Sequence, residues 1–152
     1  MPDEQPPGAE GDNQMTSTAP AMSDSTDDRF RAPGLALRGR VLVIEDERDI
    51  REALAEALSY EGYEVAIAAN GRDALRLLCD GPLPDVILLD LVMPEMSGWE
   101  FRQVQIDDPT LAGIPVVVVS ASDPGSARPD RHLPKPFAID ALFDAVAELV
   151  RH

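Results

Sequence analysis

The chain has 152 residues and a formal net charge of −15, which suits one domain with some length to spare. From Gly39 onward there are 21 acidic and 10 basic residues, so the acidity is not confined to the N-terminus. This balance argues against direct contact with nucleic acid or an anionic membrane, and no run approaches 18 consecutive apolar residues, so no transmembrane helix is expected.

Residues 1–38 are rich in Pro, Gly, Ser, Thr, Asp and Glu, with almost no large apolar residue before Phe30. Such a segment cannot bury enough surface to offset its ordering entropy, and a disordered tail is expected there. It lacks the basic region and apolar run of a signal peptide, so a cytoplasmic protein is expected. Met15 and Met22 leave a later start of translation open.

A domain is expected over 39–152. Val41-Leu42-Val43-Ile44 is a short β-branched run of the kind that forms a buried parallel strand, and it ends in Glu45-Asp46-Glu47. Ile50, Ala53, Leu54, Ala57 and Leu58 then mark one helix face, which Gly62 ends. Tyr63 to Ala68 reads as a second strand. Gly71 to Leu78 reads as a short helix with Ala74, Leu75 and Leu78 inward. Cys79 lies on that apolar pattern with no histidine near it in sequence, so a buried, inert thiol is expected. A lone cysteine makes no disulfide framework. Gly81-Pro82-Leu83-Pro84 breaks the helix, and Val86 to Leu89 forms a third strand ending at Asp90. After the loop from Met93 to Gly98 comes a weaker helix, Trp99 to about Ile106. Val116 to Val119 is a fourth strand ending at Ser120. A brief fifth strand around Leu133 ends at Lys135, and Ile139 to Val150 forms the last amphipathic helix.

Strands alternating with helices imply a doubly wound, five-stranded parallel sheet. In such a sheet ligands bind beyond the carboxyl ends of the strands, where strand order reverses. Glu45, Asp46, Asp90, Ser120 and Lys135 all stand at such ends. Three carboxylates in one crevice stay ionised together only if a cation joins them, and hard oxygen donors favour Mg²⁺ or Mn²⁺. Glu45, Asp46 and Asp90 would hold the metal. Ser120 and Lys135 would contact the oxygens of a phosphoryl group, with Asp90 as nucleophile. Lys135 is the one lysine among thirteen basic residues other than histidine. A compact ammonium suits a single oxygen in a tight site better than the arginine fork does.

Four blocks carry a family resemblance: Val41 to Glu47, Asp90-Leu91-Val92-Met93-Pro94-Glu95-Met96-Ser97-Gly98, Val119-Ser120-Ala121 and Lys135-Pro136-Phe137. Over roughly Arg40 to Arg151 the chain resembles the receiver domain of two-component response regulators. The resemblance implies a flavodoxin-like fold with strand order 2-1-3-4-5. It implies an Asp90 that takes a phosphoryl group from a sensor histidine kinase or phosphotransfer protein, and no enzymatic turnover beyond its own phosphorylation and dephosphorylation. It implies Mg²⁺ on Asp46 and Asp90 with support from Glu45 and the backbone carbonyl of Val92. Ser120 and Lys135 would bind the phosphoryl oxygens, His132 would occupy the aromatic switch position, and Lys135-Pro136 would be cis.

Two departures from the family pattern stand out. Ser120 and Lys135 are 15 positions apart, closer than the family usually has them, and the segment between holds Pro124, Gly125 and Pro129. Proline in a helix interior costs about 3 kcal/mol, so the fourth helix is expected to be missing or reduced to a turn. Val92 offers no polar group to position an attacking water, which implies slow self-dephosphorylation. The sequence stops soon after the last helix, which suggests a stand-alone receiver without a DNA-binding output domain. The alternatives are a degenerate receiver that scaffolds partners, an aspartate-nucleophile phosphatase and a flavodoxin-type cofactor binder. Val92 stands where the phosphatase needs a second Asp as general acid, and the acidic loop after Ile44 would repel a cofactor phosphate.

Overall fold

A computed structural model describes residues 37–150. In chain order the elements are β1 (Gly39–Ile44), α1 (Arg48–Tyr60), β2 (Tyr63–Ala68), α2 (Gly71–Asp80), β3 (Val86–Asp90), α3 (Gly98–Asp107), β4 (Val116–Ser120), a 3₁₀ turn (Gly125–Ala127), β5 (Arg131–Pro134) and α4 (Ile139–Val150). The five strands form one parallel sheet in the order β2-β1-β3-β4-β5. This is the expected doubly wound architecture, and the fourth helix is reduced to the single 3₁₀ turn. Except for its last two residues, the tail expected over 1–38 lies outside the described residues. Arg38 is anchored to the domain, with its N–H on the Gly62 carbonyl at 2.9 Å and its guanidinium over the Tyr63 ring.

The strands are buried because helices cover both faces, and the period of two divides their side chains between two cores. Leu42, Ile44, Ile87, Leu89, Val116 and Val118 face α2 and α3, where they meet Ala74, Leu78 and Phe101. Val41, Val43, Val86, Leu88, Val117 and Val119 face α1 and α4, where they meet Leu54, Leu58, Leu142 and Val146. Each of these large apolar side chains contributes about 1.5–3 kcal/mol on burial.

Two inward assignments from the helical pattern do not hold. Ala53 is exposed on α1. Cys79 is also exposed: α2 turns Ala74 and Leu78 into the core, and one residue further the helix has rotated by about 100° toward water.

The chain leaves β1 to form β2 on one side, then crosses back to form β3 on the other. α1 and α3 therefore leave on opposite faces, and the strand ends between them open as a crevice.

Candidate functional site

Glu45 and Asp46 follow β1 in the turn that leads into α1. Glu45 is buried, and its Oε2 accepts the Glu47 N–H at 3.1 Å, which closes the turn. Arg51, one turn into α1, donates to the Glu45 carbonyl at 2.9 Å and to the Asp46 carbonyl at 3.3 Å. Sequence reading missed this arginine. Its signal was a cation one helical turn beyond an acidic strand end, which alone looks like an ordinary surface charge.

Asp90 is the last residue of β3 and is 5% exposed. The loop after it returns closely on itself. The Gly98 N–H donates to the Leu91 carbonyl at 2.8 Å, and a Cβ on Gly98 would stand 2.5 Å from the Asp90 carbonyl oxygen. Only glycine fits that approach. Ser97 then starts α3 with a reciprocal cap: its Oγ accepts the Glu100 N–H and the Glu100 carboxylate accepts the Ser97 N–H.

Glu45, Asp46 and Asp90 each offer a carboxylate oxygen, and the three oxygens lie within 4.8 Å of one another. Burial pushes the Glu45 and Asp90 carboxyl pKa values up. For Glu45, the Glu47 N–H and the Lys135 charge oppose the rise, while the Asp90 charge adds to it. For Asp90, the Lys135 charge and the Val92 and Leu91 N–H groups oppose it. Hard oxygen donors held together against their own repulsion fit a small divalent cation such as Mg²⁺.

Lys135 reaches this cluster from the far side. Its Nζ lies 3.4 Å from Glu45 Oε1 and 3.6 Å from Asp90 Oδ1. The Lys135-Pro136 bond is cis, and the Lys135 N–H donates to the Ser120 carbonyl at 3.1 Å. Ser120 is buried at the end of β4, and its Oγ accepts the Ser122 N–H at 3.0 Å. The structure thus gathers Glu45, Asp46, Asp90 and Lys135 at one crevice, with Ser120 on the neighbouring strand end. Val92 is 64% exposed at the rim. His132 lies half-buried on β5, with Nε2 3.3 Å from the Ser120 carbonyl rather than against the carboxylates.

Comparison with known proteins gives a consistent family. A sequence profile of the response regulator receiver domain matches residues 41–147. Response regulator MprA of Mycolicibacterium vanbaalenii is 38% identical over 120 residues, covering 74% of this chain and 50% of that protein. MprA of Mycobacterium ulcerans is 37% identical over 120 residues, with the same coverage. The chain therefore spans about half the length of the curated relatives it matches.

Among solved structures, a signal receiver domain of a histidine kinase from Syntrophus aciditrophicus superposes with TM-score 0.69. It is 32% identical, over 74% of this chain and 90% of that one. Response regulator TrrA of Thermotoga maritima, solved in complex with Mg²⁺ and BeF, gives TM-score 0.64 at 32% identity, over 72% of this chain and 97% of that one. With the same strand order, and with acidic residues and a lysine meeting beyond the strand ends, this chain belongs to the response regulator receiver domain family.

Proposed function

We propose that this domain accepts a phosphoryl group on Asp90 from a sensor histidine kinase or phosphotransfer protein, and passes the signal on by protein contact. The observation that carries this reading is the single ammonium of Lys135 set between Glu45 and Asp90, beside a carboxylate cluster fit for a divalent cation. Asp46 and Asp90 would ligate Mg²⁺ or Mn²⁺, with Glu45 and the Val92 carbonyl in support. The bound cation would neutralise charge on the carboxylates and on the incoming phosphoryl oxygens.

An Asp90 carboxylate oxygen attacks phosphorus as the P–N bond to the donor histidine breaks. Lys135 donates to one phosphoryl oxygen. The Ser120 hydroxyl already accepts from Ser122, so its proton is free to donate to another. His132, resting on the Ser120 carbonyl, is placed to follow any movement of Ser120. Val92 brings no polar group to an attacking water, so the phosphorylated state should be long-lived. Beyond this self-modification no enzymatic turnover is proposed. The net charge of −15 favours a protein over a nucleic acid as the downstream partner.

The test is labelling of the full chain with acetyl phosphate and Mg²⁺. Wild type should take up one phosphoryl group, and chelation or Asp90→Asn should abolish uptake. A wild type that takes none from acetyl phosphate or from any histidine kinase would favour a scaffold that works without phosphorylation.

A further inference from the structure

Trp99, Arg102 and Gln105 recur every third residue along α3, and all three donate to backbone carbonyls outside the helix. Trp99 Nε1 donates to the Pro124 carbonyl at 2.9 Å. Arg102 Nε donates to the Ala127 carbonyl at 2.8 Å, and its two terminal nitrogens donate to the Arg128 carbonyl and to Gln105 Oε1, each at 2.9 Å. Gln105 Nε2 continues to the Leu111 and Ile114 carbonyls at 3.0 and 2.9 Å. Arg102 is only 8% exposed, and burial pushes its guanidinium pKa down.

Burying a cation this deeply is costly unless its donors are used. An apolar side chain could fill the same space. What the guanidinium adds is hydrogen bonding for the link between β4 and β5: the 3₁₀ turn uses its own N–H groups on the Pro124 and Gly125 carbonyls, and Arg102 serves the Ala127 and Arg128 carbonyls that follow. That turn ends at Arg128, whose φ of 43° is left-handed, and Arg102 holds its carbonyl there. Two residues later Asp130 clasps the start of β4: its Oδ2 accepts the Val116 N–H at 2.8 Å and its own N–H donates to the Val116 carbonyl at 2.9 Å. β5 then runs for four residues as an edge strand, pairs Pro134 with Ser120, and delivers Lys135.

We propose that Arg102 is a positioning residue for the phosphoryl-binding side of the site. By tying the Ala127 and Arg128 carbonyls to α3 it fixes where the link ends, and so where β5 places Lys135 beside Ser120. Trp99 secures the upper part of the same link. The proposal rests on the reading of Asp90 as phosphoacceptor for its kinetic consequence, but not for its structural one.

Hydrogen exchange and labelling test it on the full chain, comparing wild type with Arg102→Met and Arg102→Lys. In Arg102→Met, exchange of the Lys135 amide should speed about tenfold relative to amides of β3, which report global stability. The acetyl phosphate concentration giving half-maximal labelling should rise about tenfold. Mg²⁺ affinity by titration calorimetry, set on β1 and β3, should stay within about twofold, since those carboxylates share no partner with Arg102. Arg102→Lys should lie between. If Lys135 and β3 amides accelerate together, or if half-maximal labelling is unchanged in a folded variant, Arg102 is only structural and the proposal falls. If Arg102→Met does not fold, Arg102→Lys and Trp99→Phe carry the same comparison. If wild type takes no label, the reading of the site fails, and the exchange result still decides the placement of Lys135.

Discussion

Glu45, Asp46 and Asp90 stand at the ends of β1 and β3, strands that are paired on both sides and buried on both faces. Lys135 follows β5, a half-exposed edge strand of four residues. The carboxylate side is shaped by contacts within a few residues: Glu45 to Glu47, Arg51 to Glu45 and Asp46, Gly98 to Leu91. The lysine side depends on bonds that span about 25 residues, from Trp99 and Arg102 to the link between β4 and β5. One site thus joins strand ends that are shaped by neighbours in sequence and brought together by β1–β3 pairing to a lysine held by side-chain bonds from a distant helix.

The largest expected effect tests the local half. In Gly98→Ala the added Cβ would meet the Asp90 carbonyl oxygen and the Leu91 Cα at 2.5 and 2.6 Å. Both are backbone atoms that cannot move aside, so the variant should lose about 3 kcal/mol of stability by denaturant unfolding. A loss under about 1 kcal/mol would show the Asp90 loop to be less tightly fixed than this geometry implies.

Next comes Lys135→Met, on the distant half. It removes the ammonium beside the Glu45 and Asp90 carboxylates and should slow labelling by acetyl phosphate about 100-fold. Mg²⁺ affinity should not fall, because the metal no longer competes with an ammonium for the carboxylates. Lys135→Arg keeps the charge but should weaken the response of the partner. An equal loss of Mg²⁺ affinity in Lys135→Met would erase the distinction between the halves.

A smaller effect follows from the raised pKa values of Glu45 and Asp90, whose ordinary values are 4.5 and 3.8. Between those values and the higher folded ones the native state binds more protons than the unfolded state. Stability of the metal-free protein therefore falls as pH rises through that window. Asp90→Asn removes part of this cost, so its stability advantage over metal-free wild type should grow from acid to neutral pH, and Mg²⁺ should reduce it. Thermal unfolding at several pH values, with and without Mg²⁺, would show this. An advantage that shrinks with rising pH would mean that Lys135 outweighs burial.

The smallest effect lies outside both halves. The Arg48–Glu52 pair is largely exposed, so Arg48→Ala should change stability by no more than about 0.5 kcal/mol.

β1, β3 and β4 were legible because each holds a short apolar run followed by a polar residue, a pattern that few structures other than a covered parallel sheet satisfy. The shortened link was legible from the spacing of Ser120 and Lys135 and from its prolines. Cys79 was misplaced because an apolar pattern gives a helix's face only to within about one residue. The role of Arg102 was not legible at all. Arginine in a weakly patterned helix looks like a surface charge, and its acceptors are carbonyls, which carry no side-chain signature.

By itself the sequence determined the strand order's raw material, the acidic strand ends and the loss of a helix, because apolar periodicity and proline act over a few residues. Only the tertiary structure decided that a buried Arg102 would bind the Ala127 and Arg128 carbonyls of the link that replaces the missing helix. Those bonds depend on which elements become neighbours, and burial makes their partners obligatory.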